Sequence, residues 1–457
     1  MSHPTRVGMI SLGCAKNLVD AEVMLGHLDA AGCELVAEPG DADVVVVNTC
    51  AFIESAREES VQAILEAAEL KRTGRARKLI VAGCLVQRYG DELRQALPEV
   101  DAFVDLDQVP AIAALSGVSA PGLASDLPLL AARPAARTRR ATWLYDDAEP
   151  RIRATPPWTA YVKIAEGCDH SCAFCAIPTF RGAFRSRDPA SVVREATALA
   201  QAGVREINLV AQDSSHYGRD LGPGHGLAEL LERLDSVPGL RWIRVHYLYP
   251  NTLSDRVLAA MARLPRVVPY VDLPLQHAHG DVLARMRRGG SAESHLRLLD
   301  RIRAAMPDVT LRTTFLVGFP GESESEFDTL LEFLDTARFD HVGVFDYSHE
   351  EGTHGHALAD DVPAQVKNER KARLLERQQP IAFARNAARV GTRVEVLVEG
   401  VHPETEHLLV GRTRGQAREV DGQMLLNDGF AEAGRLVSAE ITDSAGYDLV
   451  GAILGPA

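Results

Sequence analysis

No stretch of about 18 consecutive apolar residues occurs anywhere in this chain, so no transmembrane helix is expected. Ahead of Cys14, the segment opening Met1-Ser2-His3-Pro4-Thr5-Arg6 has no long apolar core. A secretory signal is therefore not expected, and the chain reads as cytoplasmic with no membrane partner. Positive charge is in deficit: 49 lysines and arginines stand against 63 acidic residues, a formal net charge of −14. Proteins that bind nucleic acid usually present a basic face, because phosphate contacts supply most of their affinity. The overall sign favours a basic partner over a polyanion. Cysteine is scarce, odd in number and unevenly spaced, at 14, 33, 50, 84, 168, 172 and 175. That argues against a disulfide framework and for metal ligands or catalytic thiols in a reducing compartment.

The remaining composition is ordinary for a globular protein, and 457 residues exceed one usual core, so two to four domains are expected. Over 5–118, strand-like segments at 7–12, 43–47 and 78–82 alternate with helical periodicity at 17–31 and 54–71. The run Asp43-Val44-Val45-Val46-Val47 is that of a strand buried on both faces, which predicts a doubly wound parallel sheet. A linker is expected over 119–153, where Ala131-Ala132-Arg133-Pro134-Ala135-Ala136-Arg137 shows no period. From 154 to 384 six strand segments begin at 160, 206, 242, 268, 310 and 341, with helical periodicity at 189–202, 227–234, 293–305 and 324–336. Six strand–helix units predict a partial (β/α) barrel with catalytic loops at the carboxyl ends of its strands. From 385 to 455, short alternating segments at 392–399, 407–412, 417–425 and 434–441 predict a small OB-like β-barrel. Residues 385–457 carry seven arginines and no lysine against eleven acidic residues, so this end is itself acidic.

The most informative segment is Gly167-Cys168-Asp169-His170-Ser171-Cys172-Ala173-Phe174-Cys175. Three thiolates in one tight loop can ligate three irons of a 4Fe-4S cluster and leave the fourth open for chemistry, whereas a fully ligated cluster usually only carries electrons. The competing reading is a zinc loop with His170 as an extra ligand. Structural zinc usually wants a second ligand pair further on, and none follows Cys175.

Cys14, Cys50 and Cys84 form a second set. Each lies one to three residues past the carboxyl end of an apolar strand segment. In a parallel sheet those ends share one edge, where ligands usually bind. Gly13 and Gly83 precede two of them and let the backbone approach a bulky ligand. The expectation is a second three-thiolate cluster, against the alternative of three unrelated buried cysteines. Cys33, in Gly32-Cys33-Glu34, has no such context and reads as structural.

Two three-cysteine sets followed by a small terminal barrel resemble the methylthiotransferases, a family of radical S-adenosylmethionine enzymes. The resemblance covers nearly the whole chain. Ser11-Leu12-Gly13-Cys14-Ala15-Lys16-Asn17-Leu18-Val19-Asp20 is similar to the SLGCPKNxVD stretch of the branch that modifies an aspartate of small-subunit ribosomal protein 12, with Ala15 where the usual form has proline. Pro274-Leu275-Gln276-His277 and Glu166-Gly167-Cys168-Asp169-His170 resemble that branch too; the branch that modifies adenosine in tRNA more often has a PVQSGS-type stretch. The resemblance implies an N-terminal methylthiotransferase domain, a radical S-adenosylmethionine domain and a TRAM domain. It implies that a cluster on Cys168, Cys172 and Cys175 binds and cleaves S-adenosylmethionine. The resulting radical takes hydrogen from the aspartate β-carbon, which has no acidic proton for a base. It further implies that a cluster on Cys14, Cys50 and Cys84 supplies sulfur, that a second S-adenosylmethionine methylates it, that Phe174 lies near the adenine, and that Gln212 contacts the methionine end. Gln212 also reads as a plain polar strand-end residue.

The implied partners are the ribosomal protein or the assembled subunit, and an electron donor of flavodoxin or ferredoxin type; a monomer is the default. Gly318-Phe319-Pro320-Gly321-Glu322 could touch the nucleoside or simply turn the chain. His349, His354 and His356 sit in a glycine-interrupted loop that fixes no metal geometry. The arginine-rich helix around 367–377 reads as a solvated face. Two rivals remain. A tRNA methylthiotransferase predicts a basic terminal barrel. An iron-sulfur carrier predicts fully ligated clusters and no cleavage of S-adenosylmethionine.

Overall fold

The computed structural model describes residues 3–117 and 140–457. The first domain is a five-stranded sheet of β1 (Arg6–Ser11), β2 (Glu34–Val36), β3 (Val44–Thr49), β4 (Lys78–Gly83) and β5 (Ala102–Val104). All pairs are parallel and the spatial order is β2-β1-β3-β4-β5. The three long strands are the expected ones, whereas three-residue β2 and β5 are too short to carry a readable pattern. Every residue of β3 is buried, with Val44 and Val46 in one core and Val45 and Val47 in another. That division is the doubly wound arrangement, since helices must cover both faces of such a strand. Reversal of strand order at β1/β3 opens a crevice at the carboxyl edge, the usual place for a ligand in this topology.

The central domain has the six expected strands, at Thr159–Lys163, Glu206–Val210, Trp242–Val245, Tyr270–Gln276, Thr310–Val317 and His341–Asp346. They form two parallel three-stranded sheets, joined by an isolated bridge from Ile243 of the third strand to Val267, just ahead of the fourth. Its helices start where side chains satisfy free N–H groups: Asp188, Ser254, Ser291 and Ser323 cap them, the last two in capping boxes. The chain then closes a five-stranded barrel from strands Arg393–His402, Thr405–Thr413, Met424–Asp428, Leu436–Ala445 and Asp448–Pro456. Its third strand starts later than the expected 417–425 segment, and the fifth adds a strand beyond the expected four. A buried carboxylate fixes the barrel to the central domain: Glu206 accepts from Arg244 at 3.1 Å and from Arg412 of the barrel at 2.5 Å.

Two expectations need correction. Helix Ala364–Ala387 is solvated at Arg373 and Arg377, as expected, but not along its whole arginine-rich part, because Lys367, Arg370 and Leu374 are buried. Arg370 donates to Glu322 at 3.1 Å, which offsets part of the cost of burying both. The segment Ala131–Arg137 lies outside the described residues, but 140–153 is packed rather than linker-like. Tyr145 is buried and donates to Glu195, and Arg151 pairs with both Glu22 of the first domain and Glu195 of the second. No helix among the described residues is long and apolar enough to cross a membrane.

Candidate active site

Cys14, Cys50 and Cys84 lie at the carboxyl ends of β1, β3 and β4, three neighbouring strands at the switch point. Cys14 is the N-cap of helix Ala15–Ala30 and Cys84 is the first residue of helix Cys84–Ala96. The positive end of a helix favours a thiolate at such positions. Gly13 has φ +91°, and a β-carbon there would lie 3.1 Å from Cys50 Sγ. Gly83 has φ +97°, and a β-carbon there would lie 2.5 Å from Asn48 Oδ1. The sequence thus places glycine where two cysteine-bearing loops press together.

The thiols differ in charge environment. Burial pushes Cys84 up to about 12 against the pull of Arg181, and burial also raises Cys50. Crowding acts on Cys14 too, but Lys16 and Arg181, with the N–H groups of Asn17 and Lys16, outweigh it and hold that thiol below its ordinary value. Cys33 is buried in the core with Val7 and Leu28, away from this edge.

The second set follows strand Thr159–Lys163. Gly167 has φ +80°, and a β-carbon there would meet Ala183 O at 2.1 Å, so the loop entry admits only glycine. Backbone bonds fold the loop: Cys168 N donates to Gly182 O at 3.1 Å, Cys175 N to Cys172 O at 3.1 Å, and Ala173 N to Met286 O at 2.8 Å. Burial raises Cys168 to about 12, and it raises Cys175 further. Arg288 is buried, donates to Cys172 Sγ at 3.4 Å and lies 4.3 Å over the ring of Tyr249. Tyr249 also stacks on His170 at 3.8 Å, and His170 Nε2 pairs with Asp213 at 2.6 Å. His170, Asp213 and His216 converge as one of two such ligand-type trios among the described residues. The three histidines at 349, 354 and 356 belong to neither.

One loop reaches both sets. After strand Trp242–Val245, Tyr247 sits against Lys16, whose Nζ is 3.8 Å from the ring centre, and within electrostatic reach of Cys14. Two residues on, Tyr249 meets Cys172. Tyr247 has φ +59°, a strained conformation for a non-glycine residue. Across from it, loop 347–355 ties the sets again. Arg88 of the first domain donates to Glu350 at 2.8 Å, and Gly355 N donates to Ala173 O at 2.6 Å.

Phe174 is half-buried against Ala173, Val282, Met286, Phe319 and Tyr347. Gln212 Nε2 donates to Glu166, and its Oε1 is buried with no partner among the described residues. Glu322 of the glycine-proline turn accepts from Gly318 N at 2.7 Å and is raised to about 7 by burial, with Arg370 opposing. His277 is fully buried and held neutral by burial, near 3. Lys16, Glu166, Arg181, Tyr247, Tyr249 and Arg288 are the site residues that sequence reasoning missed. Lys16 and Glu166 lay inside stretches already singled out, and the tyrosines stand at a strand end, where a barrel keeps its chemistry. Arg181 and Arg288 had no signal. A cleft of about 940 Å³ lies remote from both sets, lined by Pro269, Thr310, Arg389 and Arg414 where the central strands begin.

Family models match three consecutive parts of the chain: UPF0004, an uncharacterized protein family, over 6–105; the radical SAM superfamily over 162–334; and the TRAM domain over 390–454. Ribosomal protein uS12 methylthiotransferase RimO of Anaeromyxobacter sp. (strain K) is 49% identical over 98% of this chain and 93% of its own length. The protein of the same name from Solibacter usitatus (strain Ellin6076) is 48% identical over 99% and 95%. The chain belongs to the RimO family of ribosomal protein uS12 methylthiotransferases. It is a radical SAM methylthiotransferase with a TRAM barrel. In fold it is similar to the radical S-adenosylmethionine methyltransferase TsrM from Kitasatospora setae, with TM-score 0.52, 15% identity, and coverage of 74% of this chain and 72% of that one. A radical SAM domain implies a 4Fe-4S cluster and S-adenosylmethionine, and the UPF0004 domain suggests a second cluster. The chain offers suitable donors: all seven cysteines are free, and six form two interacting sets.

Proposed function

We propose that this enzyme adds a methylthio group to the β-carbon of an aspartate in ribosomal protein uS12. The carrying observation is that one loop reaches both three-cysteine sets, with Tyr247 against one and Tyr249 against the other. Cys168, Cys172 and Cys175 would hold one 4Fe-4S cluster, and Cys14, Cys50 and Cys84 a second, each set leaving one iron without a protein ligand. When bound, these groups and S-adenosylmethionine supply an electron, a hydrogen-abstracting radical, sulfur and methyl, which an unactivated carbon needs. Arg288 and Tyr249 hold the Cys172 sulfur in one orientation. The unpaired Gln212 Oε1 is an acceptor suited to the ammonium of S-adenosylmethionine, and half-buried Phe174 offers an apolar face to its adenine. Lys16 and Tyr247 flank Cys14, where sulfur would be delivered. The acidic terminal barrel complements a basic ribosomal protein, free or in the assembled subunit. An electron donor of flavodoxin or ferredoxin type completes the system.

The test is the mass of uS12 from cells lacking the gene and from cells complemented with it. The methylthio addition should vanish on deletion, return with the wild-type gene and stay absent with Cys172→Ala. An unchanged uS12, with the methylthio group lost from a tRNA adenosine, would refute the substrate and leave the chemistry.

A further inference from the structure

We infer that Arg181 is a positioning residue of the Cys14–Cys50–Cys84 site, supplied by the radical domain, so that this site is complete only when the two domains are docked. The inference rests on the reading of those three cysteines as cluster ligands.

Arg181 follows the short helix Ile177–Phe180 and is 2% exposed. Its Nη2 donates to Cys84 Sγ at 3.0 Å and to Asp20 Oδ2 at 3.1 Å, both on the first domain. Its Nη1 donates to Glu166 Oε2 at 2.8 Å, two residues before Cys168. Lys163 closes the set, donating to Glu166 at 2.7 Å and also contacting Asp20. Two cations and two carboxylates already balance here. A simple ion-pair lock between domains needs no sulfur partner, yet one guanidinium nitrogen is shared with Cys84.

A second observation anchors the same segment. Phe180 and Ala176, from the radical domain, are buried in the core that contains Cys84, Val45, Val47 and Val81. Immediately after Arg181, Gly182 has φ +82°, and a β-carbon there would meet Ala141 O at 2.5 Å. The guanidinium is therefore held from both sides. Its planar fork serves a sulfur and two carboxylates at once, and a lysine there would keep the charge and a donor in reach of the sulfur. A donor on a ligating sulfur favours the more negative, reduced state of an iron-sulfur group and fixes the sulfur's orientation.

The experiment uses the full chain with Cys168, Cys172 and Cys175 all changed to Ala, so that only the N-terminal set can take up iron. Into this parent go Arg181→Lys, Arg181→Met, and the pair Arg181→Met with Glu166→Gln. The pair removes one cation and one anion together and leaves Asp20 with Lys163, so buried charge stays balanced. Iron and sulfide per chain are measured after anaerobic reconstitution. The midpoint potential is followed by electron paramagnetic resonance, and folding by circular dichroism. The expected result is near-parental iron in Arg181→Lys. In the paired variant, either iron falls by half or more or the midpoint moves to a more negative value. A folded paired variant with parental iron and midpoint would overturn the role of Arg181. So would an unfolded paired variant, which would make Arg181 a fold-stability residue. A parent that takes up no iron would instead overturn the ligand reading of Cys14, Cys50 and Cys84.

Discussion

Cys14, Cys50 and Cys84 lie 36 and 34 residues apart and meet only because a parallel sheet brings three strand ends together, whereas Cys168, Cys172 and Cys175 share one loop. The first arrangement is non-local and depends on the whole domain and its docking. The second needs little beyond a glycine entry and a few backbone bonds. Each set has a buried guanidinium on one sulfur, and both guanidinia come from the radical domain. Arg181 at Cys84 is balanced by Asp20 and Glu166, while the described contacts of Arg288 at Cys172 are a sulfur, the carbonyl of Pro274 and the face of Tyr249. Arg288 therefore directs its charge at the thiolates, and Arg181 chiefly shares a charge already neutralised. The difference separates two tasks. The radical site needs its charge state favoured, and the sulfur site needs its geometry held.

The largest effects should come from removing whole sets. Changing Cys14, Cys50 and Cys84 to Ala, or Cys168, Cys172 and Cys175 to Ala, should each halve iron per chain and abolish methylthiolation. S-Adenosylmethionine should perturb the electron paramagnetic resonance spectrum of the first variant alone. Perturbation of both would erase the distinction between the sites.

In the iron-free chain the thiols should differ next most. Cys14 is exposed and held below its ordinary value, whereas Cys84 and Cys168 are pushed up to about 12. The thiolate is the reacting form, so near neutral pH Cys14 should be alkylated at least about tenfold faster than either. As pH rises, Cys84 and Cys168 should speed up about tenfold per unit, because both remain far below their pKa, while Cys14 levels off first. Peptide mapping after iodoacetamide treatment reads this directly. Equal rates would mean that Lys16 and Arg181 do not act on Cys14.

Replacing Arg288 by Met should make the radical site harder to reduce without moving the N-terminal site. A hydrogen bond to a charged group is worth about 1.5–3 kcal/mol, so the reduction equilibrium should fall about tenfold or more. The fraction reduced at a fixed dithionite concentration reports it. A shift in the N-terminal signal as well would show that the two sites share one charge environment.

Much of this layout was legible beforehand, for physical reasons that differ by residue. The six cysteines could be read because one set has a local spacing and the other repeats a strand-end context. The long strands could be read because burial on both faces forces runs such as Val44–Val47. Strands β2 and β5 could not, since three residues carry no period. Arg370 and Lys367 were misread because a charged helix face looks solvated until Glu322 and Asp360 are brought to it by the fold. Arg181 and Arg288 were invisible for the same reason. Each acts on a sulfur about 100 residues away in sequence, and no local pattern encodes such a contact.

The smallest expected effects test the comparison most finely, because they touch one hydroxyl at a time. Tyr247→Phe keeps the ring under Lys16 and loses only the hydroxyl facing Cys14. Tyr249→Phe keeps the stack on His170 and the face offered to Arg288, and loses only the bond to Cys172. Each should alter stability by no more than about 1.5 kcal/mol, the usual worth of one hydrogen bond. The tyrosines are two residues apart on one strand end, so a backbone disturbance would reach both sites together. If the sites are built separately, Tyr247→Phe should change only the signal of the N-terminal set and Tyr249→Phe only that of the radical set. If either variant changes both signals, the segment 246–250 is a mechanical link between the sites. Its strained residue at Tyr247 would then be the joint through which a change at one site is felt at the other.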